Sequence, residues 1–253
     1  MGAEQLKAIF QQGTLASELA LGGIQTVLER HSVPLTGFTV DDEPVRFPSL
    51  LTQLKRLERK MFDLAGQGFE FALGSVGNYR LDFLEIRSQD EPTISWREWA
   101  VEYLGYPGFV MAWVVDRGYD HWQNAEDPLQ YTAVGRSCAE LPMKWNGLPH
   151  PLSKRIIDIS ANPGRWCLRD GYVEAVGALM WLGPSFWALT GADQLRVKDA
   201  PWLRVSQPAP SVIEIRAAEQ CFTSDGGESG ELQSRLRSLL FPAQEESRAD
   251  IRQ

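Results

Sequence analysis

The stretch FEFALGSVGNYRLDFLEI, residues 69–86, decides the fold class. Two runs rich in aromatic and branched side chains, Phe69 to Leu73 and Tyr79 to Ile86, flank a glycine-rich turn containing Gly77-Asn78. That pattern is a β-hairpin. Upstream, Pro48 and Ser49 open a segment in which Leu50, Leu51, Leu54, Leu57, Met61 and Leu64 fall on one stripe. Lys55, Arg56, Glu58, Arg59 and Lys60 occupy its other faces, so the spacing predicts an amphipathic helix ended by Gly66 and Gly68. Further back, Ala3 to Arg30 reads as helix in two pieces, with Gly22-Gly23 weakening the join. An extended passage, VPLTGFTVDDEPVRF, separates the two regions.

Downstream of the hairpin, SWREWAVEYLG carries Ser95 and, three positions on, Glu98, the spacing of a helix capping box. GFVMAWVV, closed by Asp116, is a continuous apolar run and reads as a buried strand. Pro142, Pro149 and Pro151 make 142–152 a loop, RIIDIS a strand candidate and ANPGR a turn. Glu174 to Trp181 fits helix and strand equally. GPSFWALTG suits a short helix with Pro184 in its first turn and Gly191 past its end. Ser211 to Phe222 reads as a strand, SDGGESG as a flexible loop, and ELQSRLRSLLF as a last amphipathic helix. Helices and strands mix without βαβ alternation, so the expectation is one α+β domain over 1–242. It carries a largely antiparallel sheet, with 243–253 a flexible tail.

The chain has 253 residues, 43% of them hydrophobic, with nine tryptophans, eleven phenylalanines and six tyrosines to bury. A core of that size needs neither disulfides nor metals. The net charge of −8 argues against direct nucleic-acid binding, which requires a basic footprint, and favours a basic partner. Cys138, Cys167 and Cys221 form no CxxC pair. MGAEQLKAIFQQG lacks the basic start and apolar core of a signal peptide. The longest uncharged run, Ala175 to Ala192, is broken by Gly183-Pro184 and suits a core segment better than a membrane span. A cytoplasmic location is expected, with no membrane contact.

Most catalytic signatures are missing. The sequence has no Walker-type GxxxxGK[ST]; GQGFEF puts Phe71 where a dinucleotide fingerprint needs its third glycine; GPSFW lacks the closing glycine of a nucleophile elbow. HExxH is absent, and His31, His121 and His150 are dispersed, so neither a metal nor another cofactor is expected.

The densest set of reactive side chains lies in GYDHWQNAEDPLQY, residues 118–131. Asp120 and Glu126 have the residue types of an acid/base pair for a small hydrolase. Asp120, His121 and Asp127 have those of a divalent-metal site. The plain alternative is a loop anchored by Tyr119, Trp122 and Tyr131, its acids facing solvent and Asp127-Pro128 starting a turn. Arg136 stands near Cys138 and favours a thiolate there, against the alternative of a structural thiol. Trp166 sits between Arg165 and Arg169, a spacing that suits a solvent-lapping strand, the favoured reading, as well as a ligand shelf; with Trp181 and Trp187 it offers an aromatic pocket for a small-molecule sensor. Asp41, Asp42 and Glu43 follow Phe38 and make a second acidic, aromatic patch. Sharing a face with Asp120, Trp122, Glu126 and Asp127, it would form a docking surface.

SWREWAVEYLG…WVVDRGYDHWQNAEDPLQY and ANPGRWCLRDG…GPSFWALTG resemble cytoplasmic immunity proteins of bacterial polymorphic-toxin systems. The resemblance implies a small acidic protein without catalytic function that binds and blocks a co-encoded toxin, such as a nuclease. On that expectation the partner is a protein toxin with a basic active site. The contact residues are Asp120, Trp122, Glu126 and Asp127, then Asp41, Asp42 and Glu43. The hydrolase and the sensor are the alternatives.

Overall fold

The computed structural model describes residues 3–40, 43–47, 49–50, 52, 61–90 and 92–242. The expected hairpin is there. β5 (Phe69–Val76) and β6 (Leu81–Ser88) pair antiparallel from Phe69 opposite Ser88 to Val76 opposite Leu81. A single 3-10 turn, Gly77–Tyr79, joins them.

Around this hairpin the chain builds a ten-stranded sheet. Its strands are β1 (Glu4–Gln11), β2 (Phe38–Val40), β3 (Glu43–Val45), β4 (Phe62–Gly66), β7 (Phe109–Asp116), β12 (Leu179–Leu182), β13 (Arg204–Ala209) and β14 (Val212–Arg216), with β5 and β6. The order across the sheet is β13-β14-β12-β7-β1-β6-β5-β4-β2-β3, every neighbouring pair antiparallel. Small hairpins β8 (Met143–Trp145) with β9 (Arg155–Ile157), and β10 (Cys167–Arg169) with β11 (Tyr172–Glu174), stand apart from it.

Both faces are covered, which gives two cores. On one face Leu6, Ala8 and Phe10 of β1 pack with α1 (Ser17–Arg30) and α2 (Trp96–Tyr103). Trp99 and Tyr103 are fully enclosed there, and Tyr103 donates to the carbonyl of Ala20 at 3.0 Å. Gly23 makes that crossing possible, since a Cβ on it would stand 2.6 Å from the Tyr103 ring. On the opposite face Ile9, Trp113 and Met180 meet β11, α5 (Pro184–Thr190), α6 (Gln194–Lys198) and α7 (Gly227–Leu240). Burying one such side chain contributes about 1.5–3 kcal/mol.

The chain is thus a single α+β domain with a large antiparallel sheet, as expected. The capping box at Ser95 and Glu98, the buried strand at 109–116 and the Pro184–Gly191 helix are present. Glu174 to Trp181 resolves into the end of β11 and the start of β12.

Five local expectations are corrected. The first residues form a strand, because β1 lies between β6 and β7 and is buried on both sides. Neighbours on both faces override the helix preference of its Glu, Gln, Lys and Ala residues. α1 then runs unbroken through Gly22-Gly23. Phe62–Gly66 is strand, not the end of a helix, so Leu64 fills the sheet core and Met61 is exposed. Residues 49, 50 and 52 are helical, whereas Leu51, Leu54 and Leu57 lie outside the described residues, as do Asp41, Asp42 and 243–253. The 142–152 loop includes β8, and α7 begins inside SDGGESG, at Gly227.

Candidate functional site

The segment 118–131 is two short helices rather than a loop. β7 ends at Asp116, whose carboxylate accepts from the Tyr119 backbone N–H at 2.8 Å and starts α3 (Arg117–Asn124). Asp127 does the same for α4 (Pro128–Ala133), accepting from Leu129, with Pro128 in the first turn where no N–H is needed.

The helical turn separates the acids. Asp120 points into the protein: Lys7 Nζ lies 2.7 Å and Gln5 Nε2 3.2 Å from its Oδ2. Glu126 turns outward and pairs with Lys144 at 3.0 Å. Asp127 pairs with Lys154 at 2.8 Å; that bond and the Leu129 N–H hold its carboxyl below the usual range. Glu126 lines a polar cavity, while Asp120 borders a separate small gap beside Gly164 and Gln233, so the two carboxylates do not face one space.

Trp122 is clamped edge-on between His121 and Tyr131, with the Arg136 guanidinium 4.3 Å from its ring centroid. Beneath it Ala125, Tyr131 and Ile157 form a third, small core. The Ile157 N–H donates to the Glu126 carbonyl at 2.8 Å and ties β9 to the link between α3 and α4. Asp41 and Asp42 fall outside the described residues. Glu43 is exposed on β3, the far edge strand, six strand spacings from β7, which is roughly 29 Å. The two acidic patches therefore do not merge. Nor do the three tryptophans: Trp181 sits in the core under α1 and α2, bonded to Glu214 at 2.9 Å, Trp187 packs on Phe186, and Trp166 lines the polar cavity. Among the described residues no three His, Cys, Asp or Glu side chains gather to hold a metal.

A surface that the sequence did not disclose lies beside these helices. The β8–β9 hairpin holds its tip in one shape through Asn146. That side chain donates to the Leu152 carbonyl at 2.9 Å and accepts from the N–H groups of Lys154 at 3.1 Å and Leu148 at 3.3 Å. The tip presents Trp145 and Leu152, each 66% exposed, with Leu148 between them; α4, whose first turn is tied to the hairpin by Asp127 and Lys154, presents Leu129, 72% exposed, and Val134 follows at its end. Large apolar residues in a proline-rich loop were the available signal.

Behind the helices, the ANPGR turn docks on the end of α3. Gln123 accepts from the Gly164 N–H at 3.0 Å, and Asn124 accepts from the Trp166 N–H at 2.7 Å. There Arg165, Arg169 and Arg237 converge on the buried Glu174, with Arg237 and Arg169 at 2.7 Å and Arg165 at 3.5 Å. Burial by itself would raise the Glu174 carboxyl; the Arg169 hydrogen bond and the three guanidinium charges outweigh it and hold it below the usual range. Arg165, Arg169 and Glu174 of this cluster wall the polar cavity of about 400 Å3, together with Tyr79, Lys144, Ser160 and Trp166.

No family model and no curated protein matches the chain. Among the described residues no helix is long and apolar enough to cross a membrane. Among solved structures, the fold is similar to the Pseudomonas aeruginosa T6SS protein PA0821, with a TM-score of 0.55 and 11% identity over 95% of this chain and 74% of that one.

Proposed function

We propose that this chain is a non-catalytic immunity protein that binds and occludes a co-encoded toxin of a secretion system. The observation that carries the reading is the ordered apolar surface of the β8–β9 tip and α4, where Trp145, Leu148, Leu152, Leu129 and Val134 stand in water on a braced support. Exposed apolar groups gathered on one braced hairpin tip, as Trp145, Leu148 and Leu152 are, mark a contact site, and tryptophan is among the residues that dominate binding energy. Glu126 and Asp127, at its border, pair with Lys144 and Lys154 and exchange those partners for basic groups of the toxin. The net charge of −8 steers a basic partner to the surface. The shared fold with a T6SS protein supports the secretion-system setting. Asp120, enclosed with Lys7, shapes the surface from beneath and Trp122 braces it.

The test is co-expression with the toxin encoded beside it. The wild-type chain protects the cell and binds the purified toxin; Trp145→Ala with Leu152→Ala loses both while its stability stays within about 0.5 kcal/mol. Full binding by that double variant removes the tip from the interface, and a folded chain that binds no co-encoded toxin ends the proposal.

A further inference from the structure

We propose that the polar cavity and an apolar cleft on the two sides of Trp166 form one site for a small, free amphiphilic carboxylate. The cleft, about 160 Å3, lies between the main sheet and the β10–β11 hairpin, and its walls are Ile9, Val76, Leu81, Phe83, Trp113 and Val173. Trp166 and Leu168 line both spaces. The indole is fixed as their shared wall: its backbone is bonded to Asn124, and Lys7 Nζ stands 5.6 Å from its ring centroid. Lys7 and Glu85 are the charged residues of the cleft, and Lys7 is committed to Asp120.

The two halves call for opposite chemistry. Lys144, Arg165 and Arg169 face the polar cavity against Glu126 and Glu174, a cationic excess in a chain whose net charge is −8. Arg169 gives Nε and Nη2 to one oxygen of Glu174, and neither bond uses Nη1. An anionic head is favoured there. The cleft offers water few polar partners, so an apolar group gains by filling it. A bare anion leaves the cleft open, and a hydrocarbon gains nothing from the excess positive charge of the polar half. An organic acid with an apolar body satisfies both, and the polar half alone has the size of small-molecule pockets, roughly 300–1,000 Å3. The site shares Glu126 and Lys144 with the border of the proposed toxin-binding surface, but not the exposed apolar residues of the β8–β9 tip.

The test is titration of the full chain with octanoate, acetate, 1-octanol and phosphatidylglycerol vesicles, followed by calorimetry and tryptophan fluorescence. Octanoate binds saturably with one molecule per chain, and acetate and 1-octanol bind at least about tenfold more weakly. Trp166→Ala and Arg169→Gln each weaken octanoate by about tenfold or more, with cooperative melting as the check on folding. If Arg169→Gln does not fold, Lys144→Gln takes its place. No response to octanoate, an equal response to acetate or 1-octanol, or undiminished octanoate affinity in either variant overturns the proposal. Co-sedimentation with the vesicles without binding of octanoate overturns it too, in favour of a membrane surface.

Discussion

Lys7 on β1 and Asp120 on α3 stand 113 residues apart in the chain and meet at 2.7 Å, with side chains only 12% and 10% exposed. This pair locks the first strand to the helix that leads into α4 and the candidate interface, and Gln5 completes it from the same strand face. Removing one member leaves the other charged and enclosed, which costs far more than removing both. Asp120→Ala is therefore expected to lower stability by about 3 kcal/mol in urea denaturation. Lys7→Met with Asp120→Leu recovers most of that loss. A double variant as unstable as the sum of its single changes would show that the pair does not act as a unit.

Glu174 sets a pH dependence. Its folded carboxyl lies below its unfolded value, so the unfolded chain binds the proton more readily and acid favours unfolding. The stabilisation is fully present above the unfolded value, about 4.3, and is lost as pH falls through the lower folded value. Glu174→Gln leaves three guanidiniums without their shared carboxylate and is expected to cost about 3 kcal/mol at pH 7. The gap between wild type and variant then narrows below about pH 4, as thermal melts across pH would record. A constant gap would mean that Glu174 titrates alike in the folded and unfolded chain, with no net stabilisation of its carboxylate by the three guanidiniums.

The same two clusters show what was legible in the sequence. The 69–86 hairpin, the Ser95 box and the 109–116 strand were readable because their signals are local: a turn, a cap, an unbroken apolar run. β1 was not, because a central strand buried on both faces loses its alternation, and EQLKAIFQ contains good helix formers. Leu64 misled because it falls both at helical spacing from Met61 and at alternate positions with Phe62. The two helices of 118–131 had visible starts in Asp116 and Asp127-Pro128, yet only their length, six to eight residues, made them look like a loop. In the site, the crowding of acids was visible but their directions were not. Lys7 reaches Asp120 from another strand, and Lys144 and Lys154 reach Glu126 and Asp127 from a separate hairpin. No local pattern encodes such pairings.

Gly164 is the tightest point of the docked ANPGR turn. A Cβ there would lie 2.7 Å from the Tyr119 ring, 2.8 Å from Gln123 Cγ and 3.0 Å from Gln233 Oε1. Gln233 is fully enclosed and already bonded to Tyr119 at 3.0 Å, so it has little room to retreat. Gly164→Ala is expected to cost about 1–3 kcal/mol in denaturant unfolding, the usual range for overpacking. The variant should also disturb the fluorescence of Trp166, two residues on, whose N–H depends on the same contact with α3. A neutral effect on both would mean that α7 shifts outward to absorb the methyl group.

Asn146 separates the shape of the tip from its composition. Its three bonds, to Leu148, Leu152 and Lys154, close the 147–153 loop without help from the main core. Asn146→Ala removes them and leaves every exposed apolar side chain in place. Because the loop is at the surface, water takes over the freed backbone groups, and the global loss is expected to be no more than about 1 kcal/mol. Proteolysis and amide exchange within 147–153 should accelerate, since local opening no longer breaks those bonds. If the tip binds as a preformed element, toxin affinity falls about tenfold as the cost of ordering the loop shifts to the binding step. Unchanged affinity together with faster local exchange would mean that the partner moulds the tip, and that Trp145 and Leu152 act through their surface alone.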